Sequence, residues 1–588
     1  MNGSSPNIWK SHYAIKAVAF LLIAFKRNLS MKVGKYLSLM LTILLVAFNV
    51  EKVIAATPIP PPPVITITST PPSDIPGGAS NASLQAAAIF AWQEFIALNW
   101  PAKTGVRDTP DATQKFGSAT SRPLVWHTYR AKNEIFPGGN SVSAPPHGYT
   151  PGGAPSFGYN DPTKYIYNVG AVGSKDGQVR ACKNQPAVKS PAWINLDEVT
   201  QIGLDSMFAG IVPASATPVN SNPQLIRFLA KANLIEYVYV AQNSYWYETG
   251  GSPRAVAAQN FKNAVANNAF PPKAPFISFP TGTIEVKAAF RPLTAVEKKS
   301  NRFYSTRVRY YEQGANSKPC YREDQWGLIA LHIIQKTPSA PAFVFATFEQ
   351  ADNLLTTIGG KTVPVEDENG NIINASSTST TPALTYQDSK TNPQVSIVGT
   401  DYCNTSTNPH LYYQNGSGQT GVPTGGSICV NQRDHAIPPP VISANQAAHQ
   451  AIAAYSKKNG IVNSPWAYYK LVNVQAYPFN KTDIVSDPTS PHNAATYYQA
   501  NIVVETNYTL QNFDGQIAAN GAPTNFNSAG MSFQNVYVLN KEGGTLNKSY
   551  NMGGCMGCHG IAQSVKGGDF SFIIGGPPAR SPEVPAAP

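Results

Sequence analysis

The stretches Thr283-Ile-Glu-Val-Lys-Ala-Ala-Phe290 and Gly327-Leu-Ile-Ala-Leu-His-Ile-Ile-Gln335 decide the fold of this chain. Their alternating, largely apolar pattern is typical of β-strands. Runs of the same kind are found at Phe303–Tyr310, Phe343–Phe348, Tyr469–Gln475 and Asn501–Thr506. Because Pro and Gly separate these runs throughout, the sequence predicts an α+β protein that is β-rich, with a large and mainly antiparallel β body.

A few helices are expected to pack on this body. Apolar residues recur at helical spacing from Leu84 to Ile96, and Pro101 ends that amphipathic segment. A second helix is predicted at Ser443–Lys458, because it has a serine at its start, lysines in its last turn and Gly460 just beyond. Two further helices are predicted at Gln224–Ala232 and Pro253–Ala266.

Composition and charge exclude several classes of protein. The chain has 588 residues, of which 13% are charged, about half of the usual quarter. Seven basic side chains and one acid lie in residues 1–56, so the net charge of +11 falls to about +5 in the remainder. No Lys/Arg-rich run with interleaved aromatics follows, which gives no support for nucleic-acid binding. No long apolar run occurs after residue 50, which excludes a multi-span membrane protein.

The amino-terminal residues 1–56 are predicted to be an upstream extension and a signal peptide. A basic segment that begins at Met31 precedes an apolar stretch from Leu37 to Val50, and small residues at Ala55 and Ala56 suit cleavage. We therefore expect translation to start at Met31 and the protein to be exported to the periplasm. The alternative is an uncleaved anchor, and stable membrane insertion is expected only in that case.

Three further regions are predicted after the signal peptide. Residues 57–79 are Pro-rich and are expected to form an extended tether. Residues 80–540 are expected to form the β-rich body, in one lobe or two, and residues 541–588 a carboxyl-terminal segment.

Of the six cysteines, the first four could form two disulfides in an oxidising compartment. We favour Cys403–Cys429, which closes a Gly/Ser/Asn/Thr-rich loop, and this leaves Cys182–Cys320.

The carboxyl-terminal segment contains Gly553-Gly-Cys-Met-Gly-Cys-His-Gly560, in which Cys555, Cys558 and His559 have the spacing for covalent haem attachment. Two thiols three positions apart at the start of a helix can reach the two vinyl groups of one porphyrin, and the adjacent histidine can bind its iron. The sequence therefore predicts one covalent haem c on a short helical segment. The alternatives are a thioredoxin-type dithiol, a zinc site that would need a second Cys or His pair, and a third disulfide.

The second axial ligand of this haem stays open, because the 29 residues after His559 contain neither Met nor His. The ligand either comes from the body or is absent, which would leave an open or water-filled position. The candidates on the body are Met531, His332 and His449, with Met552 and Met207 as further ones. For each of them, ordinary core packing is the competing interpretation.

Four other segments, together with the Cys-Met-Gly-Cys-His motif, carry a resemblance to a known family. They are Trp92-Gln-Glu-Phe-Ile96, Gly327–Thr337, Thr347-Phe-Glu349 and Asp569-Phe-Ser-Phe572. Over most of the chain after residue 80 the sequence resembles exported bacterial proteins of the cytochrome c family. The resemblance implies a monohaem c-type protein and assigns no role to the other segments.

Two functions are compatible with a single covalent haem. The first is electron transfer, either alone or as the haem-bearing part of a periplasmic oxidoreductase, with a redox partner protein of unknown identity. The second is an exported binding, scaffold or haem-sensor protein without turnover. Whether the protein is an enzyme stays open.

Further side chains could serve a site, but a structural role is expected for each. Glu349 and Asp352 could act as an acid/base pair or bind a cation, yet a solvated turn is the expectation. Glu285 and Lys287 are expected to form a surface ion pair. Four aromatic residues could line a carbohydrate groove, but we expect them to pack in the core. They are Trp92, Trp100, Trp126 and Tyr129.

Overall fold

An eight-stranded sheet built around one long strand, Pro319–Gln335, organises the computed structural model of this protein. The structure describes residues 63–118, 121–137, 144–199, 206–209, 224–269, 276–353, 355–358, 361–373, 383–387, 394–398, 412–414, 427–430, 436–485, 487, 490–493, 501, 503–505, 534–539, 546–564, 566–575 and 581–585.

Within these ranges, strands are more numerous than helices. The strands are β1 (Arg130–Ala131), β2 (Ile194–Leu196), β3 (Ser206–Ala209), β4 (Gln224–Leu225), β5 (Arg227–Ala232), β6 (Ile284–Pro292), β7 (Ser305–Gln313), β8 (Pro319–Gln335), β9 (Val344–Gln350), β10 (Leu355–Ile358), β11 (Lys361–Pro364), β12 (Ala383–Gln387), β13 (Gln394–Val398), β14 (Tyr412–Gln414), β15 (Ser427–Val430), β16 (Tyr469–Gln475), β17 (Gln534–Leu539) and β18 (Leu546–Met552). The α-helices are α1 (Leu84–Leu98), α2 (Lys132–Ile135), α3 (Val169–Val172), α4 (Leu234–Gln242), α5 (Pro253–Ala266), α6 (Ala295–Ser300), α7 (Pro439–Asn459), α8 (Gly554–Ser564) and α9 (Phe572–Gly575).

Strand β8 is the centre of the large sheet. One of its edges pairs with β6, and the other pairs first with β7 and then with β9, which in turn pairs with β16. Strands β5 and β1 extend the sheet beyond β6, and β2 extends it beyond β7. These pairings are antiparallel apart from the parallel pair β2–β7. The α+β, β-rich and mainly antiparallel architecture predicted from the sequence is therefore confirmed.

The large sheet has two faces of different character, because successive side chains of a strand point to opposite sides. The helix-covered face, which packs under α1 and α7, carries the apolar residues Val286, Leu331, Ile333, Ala346 and Phe348. The motif-side face, which packs against the carboxyl-terminal segment, carries Glu285, Lys287, His332, Ile334, Phe345 and Thr347. The register aligns His332 of β8 with Lys287 of β6 and Thr347 of β9.

Helix α1 is buried nearly all round, unlike the amphipathic helix that was expected. None of its residues is fully exposed, and Trp92 and Phe95 are completely buried. Helix α7 begins earlier than predicted, at Pro439, because proline is tolerated in the first turn of a helix. Its predicted end is confirmed, since Gly460 caps it in the left-handed conformation.

Two predictions of secondary structure were wrong. The segment Gln224–Ala232 forms β4 and β5, and the helix begins only at Leu234. The side chains of β5 favour a helix by propensity, but full pairing with β6 in the sheet overrides that preference. In the segment predicted as a strand at Asn501–Thr506, the described residues form a turn instead.

Smaller sheets accompany the large one. Six strands follow the order β13-β12-β15-β14-β3-β4, and two hairpins are formed by β10–β11 and β17–β18. The disulfide Cys182–Cys320, which links a loop to β8, is confirmed. The predicted Cys403–Cys429 disulfide falls outside the described residues, since Cys403 and the side chain of Cys429 are not among them.

The described part of the predicted tether is docked on the body. Asp74 accepts hydrogen bonds from the backbone nitrogen and the hydroxyl of Ser339, and Gln335 donates its amide to the Pro72 carbonyl. The described residues, which begin at residue 63, belong to one compact unit. The predicted signal peptide lies outside the described residues. No described helix combines the length and the apolar character that crossing a bilayer requires.

Candidate functional site

The Cys-x-x-Cys-His motif forms the first turns of helix α8. Cys555, Cys558 and His559 are separated by three and four positions, so they lie on one side of this helix. Gly554 begins the helix with a φ of 72°, a conformation that favours glycine. A side chain at Gly557 would collide with the Met552 carbonyl, so the small residue lets the helix start directly beside the end of β18.

Helix α8 is fixed to the β body at both ends by buried glutamines. The Gln475 side chain, at the end of β16, accepts a hydrogen bond from the Met556 backbone nitrogen at 2.8 Å and so caps the start of the helix. At the other end, the Gln563 amide accepts from the Tyr537 nitrogen and donates to the Tyr537 carbonyl, both at 2.8 Å. These contacts position the motif relative to the large sheet and the β17–β18 hairpin.

The imidazole of His559 has one defined hydrogen bond. Its Nδ1 lies 2.7 Å from the Phe570 carbonyl, so Nδ1 carries the proton and donates it, and Nε2 keeps its lone pair. Burial and the nearby charge of Lys287 lower the pKa of His559 to about 4, and the hydrogen bond to Phe570 opposes this shift. The ring is therefore neutral near pH 7. The rings of Phe345 and Phe572 contact it edge-on, at centroid distances of 4.9 and 4.8 Å.

The segment Asp569–Phe572 holds the Phe570 carbonyl in this place. Asp569 forms a buried ion pair with Lys336, at 2.9 Å, and accepts a hydrogen bond from the Phe279 nitrogen. Two of the segments quoted above for the family resemblance, the one ending at Thr337 and the one beginning at Asp569, are thus joined by this ion pair. The sequence analysis gave neither segment a role, and the structure shows that both position His559.

The two thiols of the motif are unpaired and half-buried. Burial, together with the negative charge of Glu505, raises the pKa of Cys558 to about 12 and raises the pKa of Cys555 well above its usual range. Both thiols are therefore protonated near pH 7, which is the opposite of what a reactive dithiol needs. Among the residues that the structure describes, no three His, Cys, Asp or Glu side chains form a metal-binding group, so the zinc alternative has no ligand set there.

Helix α8 faces a polar row on the motif-side face. His332 is flanked by Lys287 and Thr347, and its Nε2 lies 3.6 Å from Glu505 Oε1. Burial lowers the pKa of His332 to about 3, and the positive charges of Lys287 and His559 contribute to this shift. The sequence analysis did not single out Glu505, which no motif marks, and it gave Lys287 only a place in a surface ion pair.

The side chains around the motif form a largely buried but partly exposed surface, which we call the recess. His332 and Glu505 are 17% and 12% exposed, and Cys555, Cys558 and His559 also keep accessible surface. Burial nevertheless dominates the pKa of each group. Because these groups keep accessible surface, the motif is not sealed in the core.

The other candidates for the second axial ligand lie elsewhere or outside the described residues. His449 lies on the helix-covered side, where its ring contacts Trp92 and its two nitrogens are each 2.8 Å from an oxygen, of Asn369 and of Tyr469. Met552 is completely buried in the core. Met531 lies outside the described residues, as does the side chain of Met207. Of these candidates, His332 lies close enough to His559 for the charge of one ring to affect the pKa of the other.

The remaining predictions have mixed outcomes. Core packing of the aromatic residues Trp92, Trp100, Trp126 and Tyr129 is confirmed, since each is at most 6% exposed. The solvated turn at Glu349 and Asp352 was wrong, because Glu349 is buried beside Lys470 and Asp352 forms an ion pair with Arg302.

The surface ion pair predicted between Glu285 and Lys287 was also wrong. Glu285 is buried, and its carboxyl group meets that of Glu236 on α4. The α4 helix and the carboxyl-terminal segment cover this part of the strand, which the alternation of polar and apolar residues had placed at the surface.

Comparison of the chain with known protein families, with curated protein sequences and with solved structures finds no match.

Proposed function

We propose that this protein is an exported monohaem c-type protein that acts in electron transfer, alone or as the haem-bearing part of a periplasmic oxidoreductase. The observation that carries the proposal is the hydrogen bond from His559 Nδ1 to the Phe570 carbonyl. A histidine that ligates a metal through one nitrogen almost always donates its other ring N–H to a carbonyl or carboxylate. In this chain, His559 directly follows Cys558, and the free thiols of Cys555 and Cys558 have the spacing for haem attachment.

The residues around the motif fit a covalently attached haem. Cys555 and Cys558 are unpaired and keep some accessible surface, and addition to vinyl groups requires free thiols that the porphyrin can reach. Phe345 and Phe572 offer apolar ring surface beside the imidazole, and Phe572 is 38% exposed although it is a large apolar side chain.

The chain's own residues would determine how the group behaves. When bound, haem c would supply a one-electron couple at its iron. The Phe570 carbonyl would make the His559 imidazole more basic, and a more basic ligand favours the oxidised iron. Phe345 and Phe572 would exclude water from the side of the imidazole. The ion pair between Asp569 and Lys336 would keep the Phe570 carbonyl in position.

Export is supported by the disulfide Cys182–Cys320, because such bonds persist mainly in oxidising compartments. The amino-terminal pattern predicted to be a signal peptide supports the same localisation. The periplasm is also where covalent attachment of haem would take place.

The test is to express the full chain in a bacterial host that has haem-maturation machinery and to isolate it from the periplasm. We expect a Soret band, a mass that exceeds the mature polypeptide by one haem, and retention of the haem on acid–acetone extraction. The double substitution Cys555→Ser/Cys558→Ser should abolish all three results. As a matched control, Met556→Leu changes the same turn at nearly constant volume and should leave attachment intact. A wild-type protein with the mass of the bare polypeptide would overturn the proposal.

A further inference from the structure

The motif-side face presents His332 to the same recess as His559. His332 pairs with Thr347 in the β8–β9 register, and Phe345 lies two residues before Thr347 on the same face. Such diagonal neighbours have Cβ atoms about 7 Å apart. Since the Phe345 ring contacts the His559 ring, His332 lies one diagonal step from the ring that touches His559.

The Nε2 atom of His332 is buried and has no hydrogen-bond partner. The carboxyl oxygen Oε1 of Glu505 lies 3.6 Å from it, which is too far for a hydrogen bond. The other oxygen of Glu505 accepts a hydrogen bond from the Asn501 nitrogen, at 2.8 Å. Buried polar atoms are usually hydrogen-bonded, so this nitrogen is available to a ligand from outside the polypeptide.

We propose that His332 supplies the second axial nitrogen to the haem iron, opposite His559, so that the iron is coordinated by two histidines. This inference rests on the proposed function. It assigns the second iron ligand to a residue at the centre of the β body. Such a ligand is needed from the body because no Met or His follows His559. The iron would then bind the carboxyl-terminal segment to the central strand of the large sheet.

Alternative ligands are disfavoured by their positions. His449 occupies the opposite side of the sheet, and both of its nitrogens have partners. Met552 and Met556 are completely buried in the apolar core. Glu505 lies beside His332 and could compete, so the test must separate the two.

The experiment compares absorption and electron paramagnetic resonance spectra of the holoprotein with those of three variants. The wild type is expected to be low-spin in both oxidation states, without the long-wavelength absorption of a methionine–iron bond and without binding carbon monoxide. His332→Ala should lose the low-spin spectrum and bind carbon monoxide, and added imidazole should restore the low-spin spectrum. His449→Gln and Glu505→Gln should both keep the wild-type spectrum.

The possible failures are distinguishable. If the wild type carries no covalent haem, the proposed function fails. If haem is attached but the wild type is high-spin, or if His332→Ala stays low-spin, the proposed function stands and His332 is not the ligand. A high-spin wild type whose spectrum changes in Glu505→Gln would assign the position to Glu505 instead. Should His332→Ala not accumulate, His332→Met provides the second readout, because a methionine at the ligand position introduces the long-wavelength methionine–iron absorption and one elsewhere does not.

Discussion

Phe348 and Thr347 are adjacent on β9 and face opposite sides of the same sheet. Phe348 stacks on Phe95 of α1, at a centroid distance of 4.3 Å, and contacts Trp92 edge-on. Thr347 instead accepts a hydrogen bond from the Asn501 amide, at 3.3 Å, next to His332 in the register. The helix-covered face is thus a dense aromatic core, whereas the motif-side face keeps polar groups along a recess.

The two faces contribute differently to the protein: residues of the helix-covered face stabilise the fold, and residues of the motif-side face are available to bind a ligand. Side chains on the helix-covered face lose all contact with water and contribute mainly by apolar burial and packing. On the motif-side face, neutral imidazoles and protonated thiols stay accessible, which ligand binding requires. Substitutions on the two faces should therefore have different consequences, even when they are neighbours in the chain.

The largest expected effect follows from breaking the helix-covered face. Phe348→Ala should lower the free energy of unfolding by about 3–5 kcal/mol, because it removes a completely buried ring from between two others. The matched substitution Thr347→Val, one residue away, should cost only about 1 kcal/mol for one lost hydrogen bond. Urea denaturation of the full chain measures both. Equal losses would mean that the two faces contribute alike to stability.

On the motif-side face, the largest effect is expected from the ion pair that positions the Phe570 carbonyl. Lys336→Met should cost about 3 kcal/mol, since it leaves the buried carboxylate of Asp569 without its partner. It should also shift the haem spectrum, because the segment whose Phe570 carbonyl accepts the hydrogen bond from His559 is no longer anchored. The control Arg180→Met breaks the exposed pair with Asp176 and should change neither stability nor spectrum. A Lys336→Met protein with wild-type stability would show that the pair is dispensable.

The strands and the motif helix could be predicted from sequence because their signals are local. Alternation from Thr283 to Phe290 and the spacing of Cys555, Cys558 and His559 require no knowledge of distant residues. The Lys336–Asp569 pair could not be predicted, since its members are 233 positions apart in the chain.

The choice between His332 and His449 was open for a related reason. Each lies in a regular element, but which face of the sheet it meets depends on strand register and helix packing. The structure shows the strand register and the helix packing, and it places the two histidines on opposite sides of the sheet. The strand at Arg227–Ala232 was missed because pairing with β6 outweighs the helical propensity of its side chains.

A pH-dependent effect on stability distinguishes the motif-side face from the helix-covered face. The carboxyl groups of Glu236 and Glu285 hydrogen-bond each other. Burial raises the pKa of Glu285 to about 7 and that of Glu236 well above its usual range, and the charge of Asp569 adds to both shifts. Because the folded pKa lies above the unfolded one, the protonated pair stabilises the protein at low pH. This stability is lost as the pH rises from about 4.5 towards 7.

Glu285→Gln should reduce that loss by about 2 kcal/mol, because one of the two buried carboxyl groups can no longer ionise. The measurement is urea denaturation of wild type and variant at several values between pH 5 and pH 7.5. Asp108, whose pKa burial raises to about 6, contributes to the same window in both proteins and so cancels in the difference. Parallel stability profiles for the two proteins would contradict the shared-proton description of the pair.

The smallest effect concerns the helix over the aromatic face. The hydroxyl of Ser83 caps α1 by accepting a hydrogen bond from the Ala86 nitrogen, at 3.2 Å. Ser83→Ala should therefore cost about 1 kcal/mol. Because this cap lies on the side of the sheet away from the recess, the haem spectrum and the spin state should not change. Thermal or urea denaturation checks the first expectation, and absorption spectroscopy checks the second. A spectral change in this variant would show that the helix-covered face is coupled to the recess through the sheet, so that the two faces do not act independently.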